Sequence, residues 1–127
     1  MTHNEVSAKV IGAAIEVHKE LGPGLLESIY ETCMVHLLRE MGLRVETQVQ
    51  VPIVFRGIKL GKPLRLDVLV EDMVIVELKA VGVVHDVEAS KLLSYLRLSD
   101  RRLGLIINFH EHRLKDGIRR VVNRLEE

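Results

Sequence analysis

In the stretch RLDVLVEDMVIVELKA, Arg65 to Ala80, one apolar run carries a single acid, Asp67, and the next carries an acid and a base two residues apart, Glu77 and Lys79. Side chains alternate between the two faces of a strand. Arg65, Asp67 and Leu69 therefore share one face, and Leu66, Val68 and Val70 share the other. In the second run Met73, Ile75, Glu77 and Lys79 oppose Val74, Val76 and Leu78. In a hairpin the two wholly apolar faces must coincide, because a one-residue slip would drive Glu77 and Lys79 into the core. A three-residue loop, Glu71 to Met73, then sets Val70 against Val74, Leu69 against Ile75, Asp67 against Glu77 and Arg65 against Lys79.

Carboxylates opposed at a Cβ separation of about 5 Å repel one another unless something positive lies between them. A hard divalent cation with oxygen ligands meets that need, and Lys79 adds a fixed positive charge beside it. Such a group is suited to hydrolysis. Crossed salt bridges on the wet face of a hairpin use the same residue types, and the hairpin alone leaves that alternative open.

The elements that must position this hairpin can be read from periodicity. Val10, Ile11, Ala14, Ile15, His18 and Leu21 recur at helical spacing and predict a helix over Glu5 to Leu21, stopped by Gly22-Pro23-Gly24. A second helix, about Leu25 to Met41, carries Leu26, Ile29, Tyr30, Cys33, Leu37, Leu38 and Met41 on one face and ends at Gly42. The β-branched, alternating runs LRVETQVQVPIVF, LRLDVLV and MVIVELKA predict three antiparallel strands. Helical spacing returns over Val87 to Leu98. The unbroken apolar run Arg102 to Phe109 reads as a strand covered on both faces, and a last amphipathic helix is predicted over about Arg113 to Leu125.

At 127 residues the chain reads as one domain, residues 1–127, large enough to bury most of its apolar surface. Apolar residues make up 47% and aromatics 3%, so the core must be built from Leu, Val and Ile. Lys plus Arg and Asp plus Glu balance at 18 each, so net charge gives no argument for a polyanionic partner, and any such argument must come from local patches. The basic residues after Tyr95, among them Arg97, Arg101, Arg102, Arg119, Arg120 and Arg124, form one, although a solvated face uses the same residues. Cys33 is the single cysteine, which excludes an intrachain disulfide and fits a reducing compartment. The N-terminus lacks a signal-peptide pattern and no run reaches membrane-spanning length, so the expectation is a cytoplasmic protein with no membrane contact. The positive mean hydropathy leaves a homodimer as an open expectation.

GLLESIY, Gly24 to Tyr30, fits a G-x-x-E-x-x-Y signature, and with AAIEVHKELGPG, RLDVLVED, VIVELKAV, LLSYLRLS and LGLIINF the chain resembles the GxxExxY protein family from about Ser7 to Asn123. That family is similar to the PD-(D/E)XK nuclease-like superfamily. The resemblance implies an α/β (α+β) fold: a central mixed β-sheet flanked by helices, with a restriction-endonuclease-like α-β-β-β-α-β core. It also implies that Asp67 and Glu77 coordinate Mg²⁺ or Mn²⁺, that Leu78 lends its backbone carbonyl, and that Lys79 orients or deprotonates the attacking water. An acid on the first core helix is common in the superfamily, and Glu27 occupies that place. Related nucleases often carry Q-x-x-x-Y on the helix after the E-x-K strand; here the positions hold Lys91 and Tyr95, so Lys stands where Gln is expected, and a phosphate contact is the role it implies.

The resulting expectation is a Mg²⁺-dependent nuclease acting on nucleic acid, DNA or RNA. The competing expectation is a nuclease-fold binding or regulatory module without turnover. Neutral net charge and Lys91 favour the second; the intact Asp67, Glu77 and Lys79 favour the first. His110 and His112 lack an evident third partner for a zinc site and are expected at an exposed strand end, and His85 has no assigned role.

Overall fold

The computed structural model describes residues 1–127. The chain opens with α1 (His3–Leu21), started by a capping box in which Thr2 and Glu5 bond reciprocally, and α2 (Glu27–Glu40) follows after the Gly22-Pro23-Gly24 turn. No side chain of the N-cap residue Leu26 starts α2. Tyr30 does the anchoring instead: its hydroxyl donates to the Gly22 carbonyl at 2.5 Å and accepts from the Leu25 N–H at 3.1 Å. Its ring lies stacked on Phe109, centroids 4.3 Å apart.

Seven strands follow in two sheets. The main sheet holds β1 (Val45–Val51), β4 (Leu64–Val70), β5 (Val74–Lys79), β6 (Leu103–Asn108) and β7 (Ile118–Val122) in spatial order β1-β4-β5-β6-β7. Helix α3 (Asp86–Leu98) crosses from β5 to β6, the one parallel pair, and the other pairs are antiparallel. The expected class, helices flanking a mixed sheet, is what the chain adopts. Helices α1 and α2 cover one face over Val68, Val70, Val74, Val76 and Leu78. On the other face Leu92 and Leu96 of α3 meet Leu69, Ile75 and Ile106. A methyl group on Gly104 of β6 would meet the Leu92 side chain at 2.8 Å, so any side chain there would force Leu92 of α3 to shift.

Several expectations need correction. The run LRVETQVQVPIVF is not one strand: Pro52, which has no N–H to give a ladder, ends β1, and Val54–Phe55 turns back as β2 onto β3 (Ile58–Lys59). The predicted last helix does not form. Leu114–Gly117 makes a single 3-10 turn and Ile118–Val122 pairs with β6, because β6 would otherwise leave an open edge in its apolar run. On α1 and α2 the buried stripe is rotated from the expected one. Val6, Val10, Ala13, Ala14 and Val17 are inside on α1, Tyr30, Met34 and Leu38 on α2, while Ile15, Leu21, Ile29 and Met41 are exposed. Leu66 is buried as expected, but it packs with Leu69 and Ile75 rather than with Val68. Regular alternation fails there, since Gln48, which the β1–β4 register sets opposite Asp67, has φ 56° and the two make no ladder pair.

Candidate active site

The β4–β5 hairpin pairs as its apolar faces require: Val70 opposes Val74, Leu69 opposes Ile75, and Val68 opposes Val76. Its loop is held from outside. The Glu71 carboxylate accepts the Arg44 N–H at 2.6 Å, and Arg101 donates to the Asp72 carboxylate at 2.6 Å. Beyond Val68 and Val76 the ladder stops, so Asp67 is not strand-paired to Glu77, nor Arg65 to Lys79. On its other side β5 stays paired with β6 through Glu77, Leu78 and Lys79. The strands thus part where the charged residues begin, and an open cleft of about 680 Å³ lies against the gap.

Asp67, Glu77, Lys91 and Tyr95 line this cleft together, with Gln50, Ile53, Lys62 and Arg65 along its rim. Glu77 is buried and Asp67 is half-buried. Burial pushes the Glu77 carboxyl above its ordinary range; Lys91 and Lys79 pull it back in part, while Glu88 and Asp67 add to the rise. Arg65 lies 3.9 Å from the Asp67 carboxylate. For Lys91, burial favours the neutral amine, but Glu77, Tyr95 and Glu88 outweigh it and the ammonium is held above its usual range. Its Nζ also lies 5.5 Å from the Tyr95 ring centroid.

The other expected residues stand apart. Lys79 is only partly exposed, and its ammonium is 3.6 Å from the Glu88 carboxylate of α3 rather than among the cleft's lining groups. The Leu78 side chain is buried in the core under α1 and α2, which leaves only its backbone for any other purpose. Glu27, the first residue of α2, is exposed and does not line the cleft. His110 and His112 are exposed past the end of β6, and His85 precedes α3.

Sequence reading passed over three residues that shape this region. Glu31, one turn after Glu27 on α2, has its carboxyl pushed up by burial and then by the charges of Asp67 and Glu27, with Arg65 opposing. Glu31 is therefore the helix acid whose field meets Asp67. Its signal was the i, i+4 spacing from Glu27. Glu88 lies between Lys79 and Lys91, 3.6 Å from each ammonium, and its Oε2 is buried without a hydrogen bond. Asn108 is a buried amide whose carbonyl accepts the Val81 N–H at 3.1 Å and whose amino group donates to the Val81 carbonyl at 2.8 Å. It fixes the chain leaving Lys79, and its signal was a lone amide in the apolar run RLGLIINF.

No group of three or more His, Cys, Asp or Glu side chains is gathered closely enough to hold a metal ion by itself. No helix is long and apolar enough to cross a membrane. Neither the comparison with curated proteins nor that with solved structures gave a match. The family model of the PD-(D/E)XK nuclease superfamily matches residues 4–121, which takes in the mixed sheet up to Val121 and each residue of the cleft; the chain belongs to that superfamily.

Proposed function

We propose that the protein is a divalent-metal-dependent nuclease that hydrolyses phosphodiester bonds of nucleic acid, with its site in the cleft beside the open half of β5. The observation that carries this reading is the convergence of Asp67, Glu77, Lys91 and Tyr95 on one open cleft where strand pairing has stopped. The donor set suits Mg²⁺ or Mn²⁺. Two carboxylates face a wet cleft, and Glu77 is answered by surrounding charges rather than by a hydrogen bond, which leaves its oxygens available. Mg²⁺ is commonly held by one or two carboxylates together with waters and substrate phosphate, so a third close acid is not required. Asp67 and Glu77 would hold the ion with the Leu78 carbonyl, and when bound it would polarise the scissile phosphate and acidify water.

The chain's own residues supply the rest. Lys91 offers a positive charge to the phosphate, and Tyr95 a ring and hydroxyl beside it. Lys79 offers an ammonium that can orient the nucleophile and offset charge developing on the phosphate. Glu88 restrains both lysines, and Glu31 takes the helix-acid position next to Asp67, ahead of Glu27. A second reading, a nuclease-fold binding module without turnover, is favoured by one observation: the Lys79 ammonium is paired with Glu88 instead of facing the cleft.

The test compares wild type, Asp67→Asn and Lys79→Ala on single- and double-stranded DNA and RNA with Mg²⁺ or Mn²⁺. Calorimetry should show weak metal binding that Asp67→Asn abolishes and Lys79→Ala retains, since an ammonium has no lone pair to give. Cleavage by Lys79→Ala should fall by a factor of about 100 or more. Cleavage that survives unchanged in purified Lys79→Ala rejects the assignment. Binding without cleavage by the wild type selects the second reading.

A further inference from the structure

One small element stands outside the main sheet. The β2–β3 hairpin turns through Arg56 and Gly57, with φ of 50° and 78°, the left-handed pair that a two-residue type I′ connection needs. Phe55 opposes Ile58, and the Leu60 N–H donates to the Ile53 carbonyl at 3.0 Å. Alternation then puts Ile53, Phe55, Ile58 and Leu60 on one face. Little covers it: Phe55 and Ile58 are each 60% exposed. The chain has only two phenylalanines, and while Phe109 is wholly buried in the core, Phe55 is left at the hairpin's tip.

Charge identifies the occupant. Residues 47–66 contain Arg56, Lys59, Lys62 and Arg65 and no acid, a local +4 in a chain of zero net charge. The Arg56 guanidinium sits 5.4 Å from the Phe55 ring centroid. Ile53, Lys62 and Arg65, at the two ends of the hairpin, also border the cleft that holds Asp67 and Glu77, so the hairpin adjoins the candidate site. An exposed ring with cations around it is the combination that holds unpaired bases and their phosphates, whereas a duplex keeps its base faces stacked out of reach. A second copy of the chain is the poorer fit, because a two-fold contact through this face would bring like charges together.

We infer that the β2–β3 hairpin is a clamp for single-stranded nucleic acid, with Phe55 stacking on an unpaired base and Arg56 and Lys62 holding the phosphates that lead toward the cleft. The inference rests on the nuclease reading for what becomes of the strand, but not for its capture. Fluorescence anisotropy in EDTA, with labelled oligonucleotides of about 12 nucleotides as single-stranded DNA, single-stranded RNA and duplex DNA, measures capture without turnover. The full chain should prefer the single strands. Phe55→Ala should weaken their binding by about five-fold or more, and Phe55→Trp should restore it. Replacing Arg56 and Lys62 together by Gln should make the salt dependence shallower, by about 1.4 in the slope of log K against log salt.

All the altered side chains are exposed, so melting curves of the variants should match the wild type and separate lost binding from unfolding. A parallel cleavage assay of the wild type with Mg²⁺ separates the two claims. Hairpin-dependent binding without cleavage keeps the clamp and removes the nuclease; cleavage with binding unaffected by the hairpin substitutions keeps the nuclease and removes the clamp. Absence of binding removes the clamp as well. A dimer that Phe55→Ala dissociates, with oligonucleotide binding unaltered, assigns the face to a second copy and overturns the inference.

Discussion

The two halves of β5 are built differently. From Val74 to Val76 the strand is paired on both sides, with β4 and with β6, and every side chain is apolar and buried. From Glu77 to Lys79 it is paired with β6 alone, and on its β4 side the chain opens into a cleft. The first half is covered on both faces of the sheet, by α1 and α2 on one and by α3 on the other. In the second half the apolar cover of α3 gives way to Glu88, Lys91 and Tyr95. One strand thus carries a stability element and a candidate reactive element in six residues. The closed half can hold the open half in place because a rigid, fully paired strand does not require each of its residues to be stabilising.

Breaking the closed half should have the largest effect. Ile75→Ala removes a wholly buried side chain from the smaller core, and urea unfolding should show a loss of about 2–5 kcal/mol. A loss below 1 kcal/mol would mean that β5 is not the strand that holds this face together.

The open half should respond in the opposite direction. Glu77→Gln removes a buried charge that the surrounding lysines only partly offset, so the metal-free protein should be more stable than wild type at pH 8 while losing its metal binding. The pH dependence has a definite sign. Burial raises the folded-state pKa of Glu77 above its unfolded value, so the folded state holds the proton more tightly. Its destabilisation is absent below the unfolded pKa, grows as pH rises through the folded pKa, and is complete above it. The advantage of Glu77→Gln in thermal melts should therefore vanish near pH 4, close to the ordinary glutamate value of 4.5. Equal advantage at both pH values would place the effect in packing rather than charge.

Two smaller effects sharpen the contrast. Glu88→Gln removes the carboxylate 3.6 Å from both Lys79 and Lys91, and cleavage should slow by about ten-fold as the two ammonium groups lose their restraint. Faster cleavage would instead identify the Lys79–Glu88 pair as a brake. Lys91→Gln takes away the strongest charge pulling the Glu77 pKa down, so the acidic limb of the cleavage profile should move to higher pH. An unmoved limb would mean that another group sets it.

The closed half was legible in the sequence because two apolar faces admit only one register, and Val70 does oppose Val74. The point where pairing ends was not, since the alternation of β4 and β5 continues through Asp67 and Glu77 while the ladder stops at Val68 and Val76. Asp67 and Glu77 could be named from spacing, Lys91 and Tyr95 only from the family resemblance, and the structure brings all four to one cleft. The helix acid was harder. The G-x-x-E-x-x-Y spacing points to Glu27, but how far α2 rotates is decided by Tyr30, Met34 and Leu38, and that rotation sets Glu31 near Asp67. Ile118, Val121 and Leu125 suit a helix as well as a strand, and only the free edge of β6 selects the strand. Glu88 carried no sequence signal beyond its place in the first turn of a helix, where an acid is favoured by the helix dipole.

The anchoring of Tyr30 has an optical consequence. The chain contains no tryptophan and two tyrosines, and these sit in opposite settings. Tyr30 is fully buried, stacked on Phe109 and bonded to the Gly22 carbonyl, while Tyr95 borders the cleft beside Lys91. Ultraviolet emission from the unlabelled protein therefore has two separable sources: one that changes only when the core comes apart, and one open to quenching by whatever enters the cleft. With Tyr30→Phe the remaining signal belongs to the cleft alone, and the molecule becomes its own occupancy gauge.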